Sequence, residues 1–314
     1  MVKVVVVGAG SWGKNLVQNF YALEALAGVA DISAVLRRKA LAECPGIKVF
    51  DDYHEVLKTD IPAMVFATPA PTHYRFAKAA LAAGKDVFIE KPMTLSTDEA
   101  TEIAEYADQH NRILMVGHLL LYQPAIAWMR EYLASGKAGQ VLHVLAQRAK
   151  LGRVRREENV WWSFAPHDIS VVLDLLGNPS LRSVQASGHS MLQSNIEDNV
   201  HVDLTFESGQ TAHIHVSWYH PLLVRSTTVI AEKQMLVYDE VTQKVTIYDK
   251  FVDDDLNNVD GGSWIADVAV SQPLKLECQH FLECLETRQQ PRSNGWNGVA
   301  VVEILEKAQE RMRD

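Results

Sequence analysis

The sequence predicts an α/β protein of two domains: an N-terminal domain around a parallel sheet, and a C-terminal α+β domain around a large, mostly antiparallel open sheet. The chain has 314 residues, and 47% of them are hydrophobic. A chain of this length is too long for one ordinary hydrophobic core and suits two domains. Strand-like and helix-like stretches alternate through residues 1–118, as in a parallel sheet. From residue 141, strands follow one another with few helices between them. We therefore predict domains at 1–118 and 119–314.

The elements of the first domain follow from short apolar runs and from helical periodicity. The predicted strands are 4–7, 26–30, 47–50, 63–66, 86–89 and 113–117. The predicted helices are one that begins near residue 12, and 33–44, 73–83 and 97–111.

In the second domain, β-rich runs bounded by turn residues predict strands at 141–150, 183–190, 199–206, 210–217, 226–231, 234–238 and 245–248. Two helices, 274–287 and 298–313, are predicted to close the chain. The segment 253–262 is polar and is predicted to be a loop.

A glycine-rich turn joins the first strand to the first helix. In Gly-Ala-Gly-Ser-Trp-Gly (8–13), the first glycine permits a sharp turn, the second lets a pyrophosphate approach the main chain, and the third lets the helix pack closely on the strand. Asp31 ends the next strand about 20 residues further on, where a carboxylate accepts hydrogen bonds from ribose hydroxyls. The pattern predicts a Rossmann domain that binds NAD through Gly8, Gly10, Ser11, Trp12, Gly13 and Asp31.

The carboxylate of Asp31 favours NAD over NADP, because a 2′-phosphate beside it would suffer charge repulsion. Arg37 and Arg38 are expected to lie too far along the next helix to compensate for that repulsion.

Composition excludes several classes of protein. The net charge of −9 argues against nonspecific nucleic-acid binding. The three cysteines are an odd number without metal-ligand spacing, so we expect reduced thiols, as in a cytosolic protein, and no disulfide. No stretch reaches the length of a membrane span, and the first strand begins at residue 4, which leaves no room for a cleavable signal. We expect a cytoplasmic protein with no membrane partner.

Lys91 is the first candidate for chemistry. It lies in Glu-Lys-Pro (90–92) at the end of the fifth strand, at the sheet edge where open α/β sheets bind ligands. Pro92 restricts Lys91 to extended conformations and makes the Lys91–Pro92 bond a candidate for the cis isomer. Taken alone, a solvated lysine at a strand end is the alternative interpretation.

Several segments together resemble the Gfo/Idh/MocA family, named for glucose-fructose oxidoreductase, inositol dehydrogenase and MocA. They are 8–13, Asp31, 67–73, 90–92, 116–118 with 122–124, and His167. The resemblance implies an oxidoreductase in which the open sheet lies over the nicotinamide. It implies that Lys91 and His167 are catalytic, beside a sugar or polyol hydroxyl. It also implies a homodimer or homotetramer, cofactor contacts from Thr68, Pro69, His73, Glu90, Lys91 and Trp162, and substrate contacts from Lys91, Tyr122, His167 and Asp168.

The sequence departs from the family pattern around the histidine. Residues 163 and 170 are serines where the family usually has aspartates, so the Lys-Asp-His arrangement of polyol dehydrogenases does not carry over. A Lys91/His167 pair, as in the nucleotide-sugar branch of the family, is the simpler interpretation. The alternative is a structural His167 that caps a helix after it, because Asp168 and Ser170 are residues that favour helix starts.

A basic segment precedes this motif, with five basic residues among the nine at 148–156. Arginine forks suit phosphate oxygens, so Arg153, Arg155 and Arg156 are predicted to bind the diphosphate of a UDP-sugar. A solvated charged loop is the alternative. Together with 12–16 and 162–168, this loop resembles the UDP-sugar 3-dehydrogenases of the family. The resemblance implies NAD-dependent oxidation of the 3-hydroxyl of a UDP-sugar, first UDP-N-acetylglucosamine, ahead of an aminotransferase, and second its uronic acid. A free-sugar or inositol dehydrogenase and a non-catalytic NAD-sensing protein remain alternatives.

His213 and His215 alternate on one predicted strand, with Trp218 and His220 after them. No cysteine or carboxylate completes a ligand set at suitable spacing, so we expect no metal site. We expect these histidines to line the substrate face or to pack. Trp161, Trp162 and Trp218 are expected in the core, with a sugar-stacking role as the alternative.

Overall fold

The structure is a computed structural model that describes residues 2–313, and these divide into two compact units. Unit 1 contains the described residues up to Leu119 together with Gln272–Glu303. Unit 2 contains Leu120–Ser271 and the described residues from Ile304 onward. The first boundary agrees with the predicted domains, but the segment Gln272–Glu303 belongs to unit 1 and not to the second domain.

Unit 1 is built on a six-stranded parallel sheet in the order β3-β2-β1-β4-β5-β6. Its central strands are fully buried, which explains their almost continuous apolar sequence. Chain order reverses between β1 and β4, and ligands of such sheets bind at the carboxyl ends of the strands there. The elements are β1 (Val4–Val7), α1 (Gly13–Ala22), β2 (Leu26–Ala30), α2 (Ala34–Glu43), β3 (Lys48–Phe50), α3 (Tyr53–Leu57), β4 (Ala63–Phe66), α4 (His73–Ala82), β5 (Asp86–Glu90), α5 (Thr97–Gln109) and β6 (Leu114–Gly117).

The C-terminal part of the chain completes unit 1. On α8 (Pro273–Thr287), the ring of Phe281 packs edge-on against Phe20 and Phe88, with centroids 6.4 and 5.6 Å apart. Arg288 donates two hydrogen bonds to the carboxylate of Asp86, at 2.7 and 3.0 Å. The buried ring contacts and the partly exposed Arg288–Asp86 pair explain why this segment does not join the second domain. The following helix, α9 (Gly295–Arg311), begins in unit 1 and ends in unit 2.

Unit 2 contains an eight-stranded sheet in the order β14-β13-β12-β11-β7-β10-β9-β8, antiparallel except for the β7/β10 pair. One face of β7, β9 and β10 packs against α7. Two helices, α6 (Pro124–Ala134) and α7 (Val160–Leu176), lie in this unit. The strands are β7 (Val141–Ala149), β8 (Leu181–His189), β9 (Asn199–Phe206), β10 (Thr211–Ser217), β11 (Val224–Ala231), β12 (Met235–Asp239), β13 (Lys244–Val252) and β14 (Asn258–Ile265).

Two local predictions are wrong. The predicted loop 253–262 overlaps β14, which pairs with β13 at the edge of the sheet; its residues are mostly exposed, so their composition resembles that of a loop. The helix α7 begins after Asn159, whose side chain accepts a hydrogen bond from the Trp162 N–H at 3.1 Å. His167 and Asp168 therefore lie in the middle of a helix and cannot cap its start.

The tryptophan predictions are confirmed for Trp161 and Trp218, which are fully buried, whereas Trp162 is only half-buried. The indole N–H of Trp161 donates to the Leu305 carbonyl at 3.0 Å. Within residues 2–313, no helix is long and apolar enough to cross a membrane.

Candidate active site

Each glycine of the turn after β1 has the geometry that its predicted role requires. Gly8 has φ +90°, and a Cβ there would lie 2.8 Å from the Ala67 carbonyl oxygen. A Cβ on Gly13 would lie 1.9 Å from the Gly8 carbonyl oxygen, so only glycine lets α1 pack this closely. No atom lies within 4 Å of a Cβ built on Gly10, which leaves room for a pyrophosphate beside the main chain. Ser11 is exposed in the same turn.

Asp31 connects this turn to the end of β2. Its carboxylate accepts hydrogen bonds from the main-chain N–H groups of Ala9 and Ser33, both at 2.8 Å. Arg37 donates to the main-chain carbonyl of Asp31 at 2.6 Å. The expectation that Arg37 lies too far along the helix is therefore wrong, because its long side chain reaches back from the first turn of α2 to the end of β2.

His73 is a buried support for the segments that follow β4 and β5. Its ring nitrogens lie 2.8 Å from the carbonyl oxygens of Pro92 and Thr68, and burial lowers its pKa. The Lys91–Pro92 peptide is cis, as predicted. Thr68 is half-buried, Pro69 is exposed and His73 is buried, and the cofactor contacts of all three stay a prediction.

Glu90 links β5 to the glycine turn. Its carboxylate accepts a hydrogen bond from the indole N–H of Trp12 at 2.5 Å. The same carboxyl group packs against Gly117, where a Cβ would lie 3.0 Å from it. Burial raises the pKa of Glu90 to about 7, although the Trp12 hydrogen bond and the charge of the half-buried Lys91 both act to lower it.

Two further buried groups lie near Lys91 and Glu90; the sequence analysis used His118 only as part of the segment 116–118 and did not identify Glu277. Neither ring nitrogen of His118 has a hydrogen-bond partner in the described part of the chain, and burial, with the charge of Lys91, lowers the pKa of His118 to about 3. Glu277 on α8 is fully buried, and its oxygens find no partner among residues 2–313. Burial and the proximity of Glu90 raise the pKa of Glu277 well above its ordinary value. The pairing of Glu90 with Gly117 in the parallel sheet could have indicated His118, but no sequence signal indicates Glu277.

In unit 2, α7 carries the other predicted catalytic residue. His167 is half-buried, and its main-chain carbonyl accepts a hydrogen bond from the Ser170 hydroxyl at 2.8 Å. Trp162 is half-buried in the first turn of the same helix. Tyr122, predicted to contact substrate, is buried at the start of this unit.

Asp168 belongs to an ion cluster that we call the α7 cluster, formed by Arg148, Asp168 and Glu240, whose side chains are buried or nearly so, and by the partly exposed Arg225. Arg148 donates to both oxygens of Asp168, at 2.8 and 3.1 Å, and to both oxygens of Glu240, at 2.8 and 3.3 Å. Arg225 donates to Glu240 at 2.9 Å. Burial opposes the charge of Arg148, but its two carboxylate partners outweigh burial and raise its pKa. Because both oxygens of Asp168 are bound inside the protein, the geometry does not favour its predicted contact with substrate.

The basic segment 148–156 is not one patch. Arg148 is buried in β7, and the ammonium of Lys150 lies 5.8 Å from the ring centroid of Phe164. Arg155 forms an ion pair with Glu158 at 2.9 Å. Arg153 and Arg156 are exposed. The three arginines predicted to bind diphosphate therefore remain on the surface, and their role stays a prediction.

His213 and His215 lie on the sheet face opposite α7. The rings of His201 and His215 stack with centroids 4.1 Å apart, and His213 lies 2.8 Å from a carboxylate oxygen of Asp203. Burial, followed by the neighbouring histidines, lowers the pKa of His215 to about 4. These side chains pack against one another, as one of the two alternatives predicted. Across the described residues, no group of three or more His, Cys, Asp or Glu could hold a metal ion.

Comparison with known proteins assigns the chain to a family. The profile described as "Oxidoreductase family, NAD-binding Rossmann fold" matches residues 2–118, and the "GFO/IDH/MocA C-terminal domain" matches residues 126–237. The chain belongs to the Gfo/Idh/MocA family. Its first unit is the NAD-binding Rossmann fold of that family, and NAD is the cofactor that the open Gly10 turn and Asp31 fit.

The chain is similar to several dehydrogenases and solved structures. UDP-N-acetylglucosamine 3-dehydrogenase of Acidithiobacillus ferrooxidans is 29% identical over 215 residues, which span 68% of this chain and 66% of that protein. The solved structure of that enzyme, GnnA, has a TM-score of 0.86 at 24% identity and covers 98% of this chain and 97% of its own. The NAD⁺-dependent scyllo-inositol 2-dehydrogenase of Bacillus subtilis is 26% identical over 92% of this chain and 88% of its own. GenD2 from gentamicin A biosynthesis, solved with NAD, has a TM-score of 0.84 at 24% identity, over 100% of this chain and 94% of its own.

Asp31→Ser should reduce the preference for NADH over NADPH. In the wild type, we expect NADH to bind at least about tenfold more tightly, because a carboxylate repels the 2′-phosphate. In the variant, Arg37 would face that phosphate, since its guanidinium already lies at Asp31. Fluorescence titration with both nucleotides measures the two dissociation constants. Adding Arg37→Gln should abolish the gain in NADPH binding and adding Arg38→Gln, exposed on the same helix, should not; equal wild-type affinities would contradict this role of Asp31.

Glu277→Gln should stabilise the protein increasingly as pH rises. The folded-state pKa of Glu277 is raised, so between the ordinary carboxyl pKa and the folded value the folded state binds more protons than the unfolded state. The free energy of unfolding of the wild type therefore falls as pH rises through that window, and the variant lacks this loss. The difference in Tm between variant and wild type, measured from about pH 5 to about pH 8, should increase. Glu286→Gln, an exposed change on the same helix, is the control, and a difference independent of pH would refute the interpretation.

Proposed function

We propose that the protein oxidises the 3-hydroxyl of a UDP-sugar with NAD, and that UDP-N-acetylglucosamine is its substrate. The observation that carries the proposal is the setting of Lys91 at the carboxyl end of β5, one residue after the carboxylate that binds Trp12 of the cofactor turn. The similarity to the Acidithiobacillus enzyme supports the choice of substrate. The product would be a 3-keto sugar, suited to an aminotransferase.

In this proposal, the chain's own residues accept the proton of the sugar hydroxyl and stabilise the negative charge that develops on its oxygen. NAD, when bound, supplies the hydride acceptor. His167 takes the proton of the hydroxyl, because the ordinary pKa of histidine lies near neutrality and that of lysine does not. Lys91 holds the hydroxyl oxygen as negative charge develops on it. The uncharged state of His118 leaves the ammonium of Lys91 without a competing buried cation beside it.

The exposed arginines would bind the nucleotide end of the substrate. Arg153, Arg155 and Arg156 carry three forked donors on one loop, a set that suits a diphosphate. Tyr122 and Trp162 are the further contacts that we propose for substrate and cofactor. We also propose a homodimer or homotetramer and a cytoplasmic location, both on the basis of family resemblance.

A free polyol is the second candidate substrate. The scyllo-inositol dehydrogenase aligns over more of this chain than the Acidithiobacillus enzyme does, which favours this alternative. An inositol has no diphosphate, so free UDP should compete with a UDP-sugar but not with an inositol.

Turnover should require both Lys91 and His167. Purified protein with NAD and UDP-N-acetylglucosamine should form NADH, and should do so faster than with the corresponding uronic acid or with myo-inositol. Lys91→Met and His167→Asn should each lower kcat by about a hundredfold or more, the range of a positioned proton-transfer group, while NAD binding stays close to wild type.

The controls for these two variants are Lys39→Met and His110→Asn, which change exposed residues and should leave kcat unaltered. A Lys91 or His167 variant with near-normal turnover across the pH range would reassign that residue to a structural role. Turnover of inositol alone would replace the proposed substrate with the second candidate.

Neutralising Arg153, Arg155 and Arg156 together with glutamine should raise KM for the UDP-sugar and weaken the binding of free UDP in parallel. A charge-assisted hydrogen bond shielded from water contributes about 1.5–3 kcal/mol, so one such contact changes either constant by about tenfold or more. Steady-state kinetics and UDP titration measure the two constants. The affinity for NAD, and both constants in the exposed control Arg182→Gln, should not change. Unaltered KM and UDP binding would show that the loop is merely solvated.

A further inference from the structure

The α7 cluster joins the residue that follows His167 to three strands or strand ends of unit 2. Arg148 lies on β7, Arg225 lies on β11, and Glu240 directly follows β12. The side chains of Arg148, Asp168 and Glu240 are 10%, 3% and 11% exposed. Arg225, whose side chain is 35% exposed, adds a second cation at the edge of the cluster, so two cations face two anions.

The contact between Arg148 and Asp168 defines a direction as well as a distance. Two parallel N–H···O bonds form between the guanidinium and the carboxylate, and this fork permits only a narrow range of orientations. Successive helical residues point about 100° apart around the axis. When Asp168 is held against the sheet, the direction in which His167 leaves the helix is therefore set as well.

The helix needs such a support at this point. Pro166 lies inside α7 and has no N–H, so the Trp162 carbonyl lacks the hydrogen bond that residue 166 would otherwise donate. The turn directly before His167 is thus weakened, and the residues that follow it are the ones tied down. Ser170 reinforces the same turn through the His167 carbonyl.

We propose that Arg148, Asp168 and Glu240 are positioning residues that set the rotation of α7 at His167 and thereby aim its imidazole. The inference rests on the proposed role of His167 as the base. It gives Asp168 a function without contact with substrate, and it separates Arg148 from the basic loop to which it seemed to belong by sequence.

The decisive variants keep side chains of similar size in the cluster and remove the charged, forked contact between Arg148 and Asp168. Asp168→Asn retains the volume of the side chain but loses the charge that Arg148 pairs with. The double variant Arg148→Met/Asp168→Leu removes one charge of each sign. Glu240 keeps Arg225 as its partner, so no charge of the cluster is left unpaired, and the variant is expected to fold. In both, kcat with UDP-N-acetylglucosamine should fall by about tenfold or more, since small misplacements of a reacting group are costly. KM and the dissociation constant for NADH should change by less than about threefold.

Arg288→Gln is the matched control. It breaks another forked arginine–aspartate pair, with Asp86 in unit 1, and should lower Tm without lowering kcat. The comparison separates an effect on the orientation of His167 from a general loss of stability. A folded double variant with kcat within about threefold of wild type would overturn the proposal, as would an equal loss of kcat in Arg288→Gln.

Hydrogen–deuterium exchange tests the same inference without a substrate. Amides of residues 164–171 should exchange faster in the double variant than in the wild type or in Arg288→Gln. If the wild type oxidises no nucleotide sugar, the proposed function fails, but the exchange experiment still decides whether the cluster holds the helix at His167. Unchanged exchange across those residues would overturn the positioning role.

Discussion

The contact between Gly13 and the carbonyl of Gly8 is the constraint on which the cofactor site depends. With a Cβ only 1.9 Å from that oxygen, no other residue would let α1 start so close to β1. The turn before this close start of α1 leaves Gly10 open, with no atom within 4 Å of a Cβ built there, which is the room that a pyrophosphate needs beside the main chain. It also brings Trp12 to Glu90, so that the cofactor turn and the end of β5 form one hydrogen-bonded structure.

The environment of Lys91 follows from burial more than from any single ion pair. Two carboxyl groups close together in a dry interior cannot both ionise readily, and the pKa values of Glu90 and Glu277 are both raised. His73 and His118 are buried as well, and burial lowers their pKa values. The surroundings of Lys91 therefore combine two histidines whose charged form burial disfavours with a carboxyl pair that disfavours a second negative charge. Such perturbed groups cluster where proteins perform chemistry.

In unit 2, strand geometry separates residues that are adjacent in sequence. Alternate side chains of β7 point to opposite faces, so Arg148 enters the buried face beside α7 while Gln147 bonds to His215 on the other face. The same alternation places His213 and His215 away from α7. The basic residues of 148–156 thus divide into one buried structural arginine, Arg148, and a loop whose arginines are exposed.

The sequence by itself determined the features that depend on neighbours along the chain. These were the parallel sheet, the glycine pattern of 8–13 and the position of Asp31 at the end of its strand. Each follows from local backbone conformation or from the period of apolar residues, which a short window of sequence contains. The tertiary structure alone decided that Gln272–Glu303 returns to unit 1, that Glu277 is buried beside Glu90, and that Asp168 is paired with Arg148. Those contacts join residues far apart in the chain, and whether a charged residue is buried depends on what packs over it, which its type and spacing do not specify.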